Sequence, residues 1–512
     1  MSKIVSREID KLKKGLDIVA DAVKITIGPR GKNVAIDNGL HPIIANDGGR
    51  IAKEIVLKDP LENMGAAIIK EVIQKTSEDV GGGRTASAII TQALVNEGLK
   101  LVNKGFNPNL LKKGMQLAVK DICAELDKMA KPVKGKLKEV AIISTESEEL
   151  GKVIAETIEK VGLDSVVTVE ESQTFGITSE IAEGLKFDKG YISPYMITNE
   201  RLEAEYKDIP ILITNKKLSF FKDLFPIVDS LVKKGKKDLM IIAEDLEGEA
   251  LNASVINKLR GVFNILAIKT PGVGDNKKFC EEDLCALTGA ELWTEQNKEV
   301  KLGKIKKVLS KKDSTIIQGT GDIKTWITTL KTRREMTENK WEIDQFNERI
   351  AKLQNGIAVI KVGAASESEV KYLKLKIEDG VNETKRALEE GIVVGGNVAF
   401  IHAFKNADNY APNVSDVALG YSIVLGAIKA PLRQIVENSN GSPDVIVSEI
   451  IASKNLTSGY NSLDNTIVED MYALGIVDAV KVTKTVLQNA VSAAAMFLSI
   501  ECVVVNELED GK

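Results

Sequence analysis

Val80-Gly81-Gly82-Gly83-Arg84-Thr85-Ala86-Ser87 is the stretch on which the reading of this chain turns. Before it, Met64, Ile68, Ile69, Val72 and Ile73 recur at helical spacing, and after it Ala86, Ile89, Ile90, Ala93 and Leu94 do the same. Two helices therefore meet at three glycines. Glycines at such a junction leave bare backbone N–H groups at the positive end of the second helix, where phosphate can be held without a P-loop. Taken in isolation, the same turn also fits a plain helix–helix connection. Its company favours phosphate: Thr26-Ile27-Gly28-Pro29-Arg30-Gly31 and Asp47-Gly48-Gly49 precede it, and Gly395-Gly396 and Asp478 follow far downstream. Gly-rich turns and lone aspartates near both ends predict one nucleotide site built from distant segments.

Composition narrows the class. A chain of 512 residues is too long for one hydrophobic core, so several domains are expected. Apolar residues at 44% and charged residues at 28% are those of an ordinary globular protein. A net charge of −4 gives no footprint for nucleic acid, and no apolar run is long enough to span a membrane. The start, Met1-Ser2-Lys3-Ile4-Val5-Ser6-Arg7-Glu8, carries no signal-like segment, so a cytoplasmic location is expected. Four cysteines suit a reducing compartment. Cys280 and Cys285 share a helical face but lack further ligands, and read as small buried residues rather than a metal site. The two histidines, His41 and His402, sit in no nucleophile or zinc motif.

Residues 1–128 read mainly as helix, with one apolar stripe through Leu12, Leu16, Val19 and Val23 and another through Leu111, Met115, Ala118 and Ile122. Residues 131–136 break the pattern around Pro132 and Gly135. In the middle, the runs 209–214, 239–243 and 265–269 are short, apolar and separated by helical patterns, which predicts a βαβ-type sheet. Residues 356–363 read as a strand into a turn, and 390–512 return to helix. One domain made from both chain ends, with an α/β domain inserted into it, is the expected plan. No internal repeat of solenoid length is present.

Many of these segments resemble the group I, GroEL-type chaperonins. The resemblance runs through 23–34 (Val23-Lys24-Ile25-Thr26-Ile27-Gly28-Pro29-Arg30-Gly31-Lys32-Asn33-Val34), Glu62-Asn63-Met64-Gly65-Ala66, 242–251 and Pro271-Gly272-Val273-Gly274-Asp275. It continues through Lys361-Val362-Gly363-Ala364-Ala365, Glu389-Glu390-Gly391-Ile392-Val393 and 430–436, in one order from about residue 5 to about 505. It implies a multidomain α and α/β fold: an equatorial ATP-binding and ring-contact domain at 1–128 and 390–512, an intermediate hinge domain at 129–182 and 358–389, and an apical substrate-binding domain at 183–357. It also implies a homo-oligomer, a heptameric ring that is single or double, with unfolded polypeptides as clients and a GroES-type co-chaperonin as lid. A bacterial or phage-infected bacterial cytoplasm would be its setting.

The resemblance assigns ATP and Mg²⁺, with K⁺ as a further cation, to specific positions. Thr26, Gly28 and Pro29 would lie beside the phosphates, and Gly82, Gly83, Arg84 and Thr85 would form the main phosphate loop. Asp47 and Asp379 would approach the γ-phosphate, Asp379 orienting the attacking water and Asp47 being the candidate metal ligand. Gly395 and Gly396 would admit ribose and adenine, Asp478 would accept from ribose hydroxyls, and Asn461 and Ile476 would flank the base. The departures fall on the same loop. Gly82 stands where the family has its metal-binding aspartate, Arg84 and Ala86 replace small hydroxyl residues, Gly49-Arg50 replaces an apolar residue and a hydroxyl, and Asn397 replaces a glycine. Losing a hard oxygen ligand weakens the case for Mg²⁺, while a guanidinium can take phosphate oxygens in its place.

For the apical surface the resemblance points to Tyr191, Tyr195, Met196, Phe225, Val228, Leu251, Val255 and Ile256, all apolar or aromatic here. Leu251, Val255 and Ile256 form one helical stripe, with Leu259 and Val262 expected on the inward face. Such contiguous apolar surface marks a binding site when it is exposed. The expected function is an ATP-dependent chaperonin subunit that encloses non-native chains. An ATPase-impaired holdase and an unrelated nucleotide-dependent enzyme are the alternatives. The sequence closes on Glu507-Leu508-Glu509-Asp510-Gly511-Lys512 rather than the Gly-Met-rich tail common in bacterial relatives, which would alter a cavity floor without preventing assembly.

Overall fold

The structure is a computed structural model. It describes every residue except 1–2, 38–41, 134, 163–165, 173, 183, 200, 273, 295, 297–299, 338, 408–414 and 507–512. His41, Val273, Lys134 and the closing residues 507–512, all used in the sequence reading, lie outside the described residues. The chain divides into two compact units. The first comprises Met1–Glu159, Gln173–Ile177 and Val362–Lys512, and the second Lys160–Ser172 and Thr178–Lys361.

The first unit is helical, and its helix ends are set by local chemistry. Pro60 opens the Pro60–Val80 helix behind Asp59, whose carboxylate accepts from Leu61 N at 2.8 Å and Glu62 N at 3.3 Å. That helix closes at Gly81, whose φ of +86° suits glycine, and Gly81 N donates to Ser77 O. Gly83, at φ +74°, caps the start of the Arg84–Val102 helix. Two positive φ values within three residues let the chain reverse without a side chain in the turn.

The packing relies on backbone approach at paired glycines. A Cβ on Gly15 would lie 1.7 Å from Glu62 O, and one on Gly65 would lie 1.8 Å from Leu12 O, so the Ile9–Lys24 and Pro60–Val80 helices press together antiparallel. The Pro108–Met129 and Ser415–Ala427 helices do the same through Gly114 against Val417 O and Gly420 against Leu111 O. Around these contacts a single core gathers Leu12, Leu16, Ile69, Ile90, Leu94 and Leu111, all fully buried.

The second unit is built on a six-stranded sheet. In spatial order its strands are Asn264–Lys269, Asp238–Ala243, Ala204–Ile213, Gly303–Ser310, Thr315–Gly319 and Gly184–Phe187. The first three run parallel, joined through the helices Phe221–Lys233 and Gly248–Leu259, and correspond to the three expected apolar runs. Leu239 to Ala243 are all buried, as central parallel strands require. The other three strands pair antiparallel, half a sheet that the βαβ reading does not contain. Lys307 is buried there and is answered by Glu170 at 3.4 Å and Glu205 at 3.2 Å.

Ile25-Thr26-Ile27 is β-branched throughout, a composition that favours strand, but it forms the turn that ends the Ile9–Lys24 helix. Asn438 Nδ2 donates to the carbonyls of Lys24, Ile25 and Ile27, holding that turn from outside.

Adding a methyl at Gly15 forces two backbones apart, so Gly15→Ala should cost about 1–3 kcal/mol, the usual penalty of overpacking. Gly426 lies on a helix with open space around it, and Gly426→Ala should be neutral or slightly stabilising. Thermal unfolding of both variants checks this, and equal melting temperatures would contradict the close-contact account.

Candidate functional site

Arg84 is the centre of a cluster in the first unit. As the first residue of the Arg84–Val102 helix it follows the glycine turn directly. Its Nη1 lies 3.2 Å from Asp47 Oδ2, and its Nη2 donates to Asp379 Oδ2. Asp47 caps the Gly48–Glu54 helix, its Oδ1 accepting from Arg50 N at 2.7 Å. Asp379 projects from the Glu367–Glu390 helix. The turns are in contact as well. A Cβ on Gly48 would meet Thr85 Oγ1 at 2.5 Å, and one on Gly49 would meet Arg84 Cδ at 3.0 Å. Asp47, Gly82, Gly83, Arg84, Thr85 and Asp379, far apart in sequence, thus stand together.

Glu383 belongs to this cluster and was not singled out from the sequence. A Cβ built on Gly82 would fall 1.3 Å from Glu383 Oε1, so the glutamate carboxylate occupies the space that any side chain at 82 would enter. Asn382 stands likewise against Gly81, at 2.4 Å, and Val486 against Gly83, at 2.3 Å. The signal was present: Glu383 is four residues after Asp379, which places both carboxylates on one helical face.

The charges do not balance. Burial pushes the Asp379 carboxyl up to about 7 in spite of Arg84 beside it. Burial pushes Glu383 up to about 7 as well, with Asp379 adding to the shift. Burial opposes the charge on Arg84, but Asp379 and Asp47 outweigh it and raise its pKa. One guanidinium cannot fully neutralise the carboxylates around it.

Of the remaining predicted residues, Asp478 lies near enough to Glu383 to add to its upward shift, and Thr26 and Asn461 are held by partners of their own. Asp478 pairs across a short sheet with Val393, and its Oδ2 accepts from Asn397 N at 3.0 Å, bracing the Gly395-Gly396 turn. Burial raises its pKa to about 6. Gly395 packs onto the Ile476–Val477 backbone, and Gly396, at φ +63°, faces open space. Asn461 is engaged with Asp464 and Leu463 N within its own hairpin. Thr26 Oγ1 donates to Val23 O, and Gly28, at φ +83°, packs on Ile435 beside Pro29. Arg30 donates to Leu463 O, tying this turn to the hairpin of Asn461.

These residues suit a polyphosphate but not a divalent metal. Bare turn backbone, a helix N-terminus and a guanidinium converge. A metal needs free hard oxygens. Asp47 and Asp379 are both committed to Arg84, Gly82 has no room for a carboxylate, and no group of three metal-ligating side chains occurs among the described residues. In this structure Asp47 acts as a capping and ion-pairing residue.

The second unit places the expected contact residues unevenly. Tyr195, Phe225 and Ile256 are exposed, at 63%, 58% and 47%. Leu251, Val255 and Tyr191 are half-buried. Met196 and Val228 go inward instead, Met196 because its sulfur accepts from Ala267 N at 3.3 Å and Val228 because it lies on the buried face of the Phe221–Lys233 helix with Leu224 and Leu231. The helix Gly248–Leu259 faces the core with Ala250 and Ser254, so Leu259 and Val262, expected inward, point out. Small residues on the inner face bring the helix close to the sheet and leave its large side chains outside.

Gly82→Asp alone should destabilise the protein by about 1–3 kcal/mol, because the new side chain collides with Glu383. Pairing it with Glu383→Ala should recover most of the loss, as melting curves of the three variants would show. A second expectation concerns pH. Glu383 holds its proton more tightly folded than unfolded, so its contribution to stability is complete below the ordinary carboxylate range and is lost as pH rises through about 7. Glu383→Gln should therefore melt above the parent at pH 8 and close to it at about pH 4.

The sequence of this chain matches the model of the TCP-1/cpn60 chaperonin family over residues 19–507. The match includes the glycine turn, the Arg84 cluster and the whole sheet-bearing unit. No helix among the described residues is long and apolar enough to cross a membrane. With a Gly-rich phosphate-type turn in one unit and exposed apolar side chains in the other, the chain is a member of the TCP-1/cpn60 chaperonin family, and its function is of the chaperonin type, in protein folding.

Proposed function

We propose that this chain is an ATP-dependent subunit of the group I type, which captures non-native polypeptides and promotes their folding inside a ring cavity. The observation that carries the reading is the apolar surface of Tyr195, Phe225, Ile256 and Leu259, exposed on neighbouring elements of a chaperonin-family chain. Flexible clients of varied sequence are held by such surface without shape-specific contacts. The division into equatorial, intermediate and apical domains, the heptameric ring and the GroES-type lid are part of this proposal, as is a cytoplasmic setting. Support for assembly comes from two small sheets, Lys3–Ser6 with Val503–Asn506 and Val34–Ile36 with Ile43–Ala45. Two-stranded sheets are marginal in water and have open edges, and Ile44 and Val504 are exposed on them.

A second reading is favoured by the Arg84 and Glu383 geometry. With Asp379 bound to Arg84, the carboxylate that would orient water is engaged, and the turn has no carboxylate of its own at residue 82. Hydrolysis would then be slow, and the protein would act as a holdase. Steady-state ATPase assays beside aggregation suppression separate the two: capture with turnover supports the motor, capture without it the holdase. Polar replacement of the exposed stripe, Tyr195→Ser with Ile256→Ser, should reduce aggregation suppression severalfold and leave nucleotide affinity unchanged. Full suppression by that double variant would refute the assignment of the surface.

A further inference from the structure

A nucleoside polyphosphate concentrates negative charge that its site must neutralise, most often through a divalent cation on carboxylate oxygens. The carboxyl groups within reach are poorly placed for that role: Glu383, which fills the space at Gly82, is pushed up to about 7 by burial and so holds a proton readily, and Asp47 and Asp379 close on Arg84 from two sides. The Arg84 side chain is only 15% exposed, and its Nη1 would lie 3.3 Å from a Cβ on Gly49, so the guanidinium lies over that bare turn.

We infer that Arg84 is the resident cation of the nucleotide site, exchanging its two carboxylates for phosphate oxygens when a nucleoside di- or triphosphate docks, so that binding needs no divalent metal. This rests on the reading of the glycine turn as a nucleotide site. Three features carry it. A guanidinium stays charged and grips phosphate with paired donors, which suits it to replace a metal as counter-charge. As the first residue of a 19-residue helix, Arg84 adds its charge to the positive helix end and the turn N–H groups. The exchange is also locally tolerable: when Arg84 leaves, Asp47 keeps its bond from Arg50 N, and Asp379, pushed up to about 7 by burial, can take a proton. Beside this cluster a cavity of about 30 Å³ is lined by Asp47, Asp379, Arg50 and Lys376, so further positive charge borders the place vacated.

The test is titration of the full chain with a fluorescent ADP analogue, in excess Mg²⁺ and in excess EDTA. Affinity in EDTA should lie within about threefold of that in Mg²⁺, and Arg84→Ala should weaken binding in EDTA by about tenfold or more, the scale of a lost charge-assisted contact. Arg84→Lys, which keeps the charge and loses the fork, should fall between them and guards against a misfolded alanine variant. Binding that appears only with Mg²⁺ overturns the inference and leaves the nucleotide site standing. Binding in EDTA that Arg84→Ala and Arg84→Lys leave unchanged overturns it too. Absence of binding under both conditions removes the nucleotide-site reading, and this inference with it.

Discussion

The ion pairs of Arg84 with Asp47 and Asp379 constrain everything around them. A guanidinium this deep needs anionic oxygens beside it, and in the resting cluster these two carboxylates supply them. Three elements far apart in sequence are thereby tied at one point: the cap of the Gly48–Glu54 helix, the start of the Arg84–Val102 helix and the middle of the Glu367–Glu390 helix. Removing one partner would leave a charge unpaired where water scarcely reaches. Asp47 and Asp379 are the two expected to approach the γ-phosphate, and Arg84 belongs to the expected phosphate loop.

Glu383 shows how a substitution in a packed turn reaches its neighbour. Gly82 has no side chain, and the space is filled by a carboxylate from another helix rather than by water or an apolar group. Burial holds that acid and Asp379 well above the ordinary carboxylate range. The cluster thus has an acidic group beside the glycine turn, supplied by the Glu367–Glu390 helix, while Asp47 and Asp379 are engaged by Arg84.

In the second unit, binding surface and core are divided by residue size. Ala250 and Ser254 let the Gly248–Leu259 helix approach the sheet, and the large side chains of that helix are left outside. Exposing Ile256, Leu259, Phe225 and Tyr195 costs hydrophobic stabilisation, which the buried strands Ala204–Ile213, Asp238–Ala243 and Asn264–Lys269 offset. A buried cation ties elements there: Arg349, on the Lys340–Asn355 helix, bonds Asp283 at 2.7 Å and stacks over Phe279, both on the Asp275–Thr288 helix.

The sequence alone determined the helices around the glycine turn, the three parallel strands and the two-part layout of helical ends and α/β middle. Those features follow from local periodicity, which the backbone imposes on any chain of that pattern. It also showed that residue 82 has no carboxylate. Only the tertiary structure decided what replaced it, that Met196 and Val228 turn inward, that Leu259 and Val262 turn outward, and that Ile25-Thr26-Ile27 bends instead of extending. Each of these depends on a partner distant in the chain: Glu383 for Gly82, Ala267 for Met196, Asn438 for the turn. Periodicity says which face of an element is apolar; packing decides which vacancy a given side chain fills.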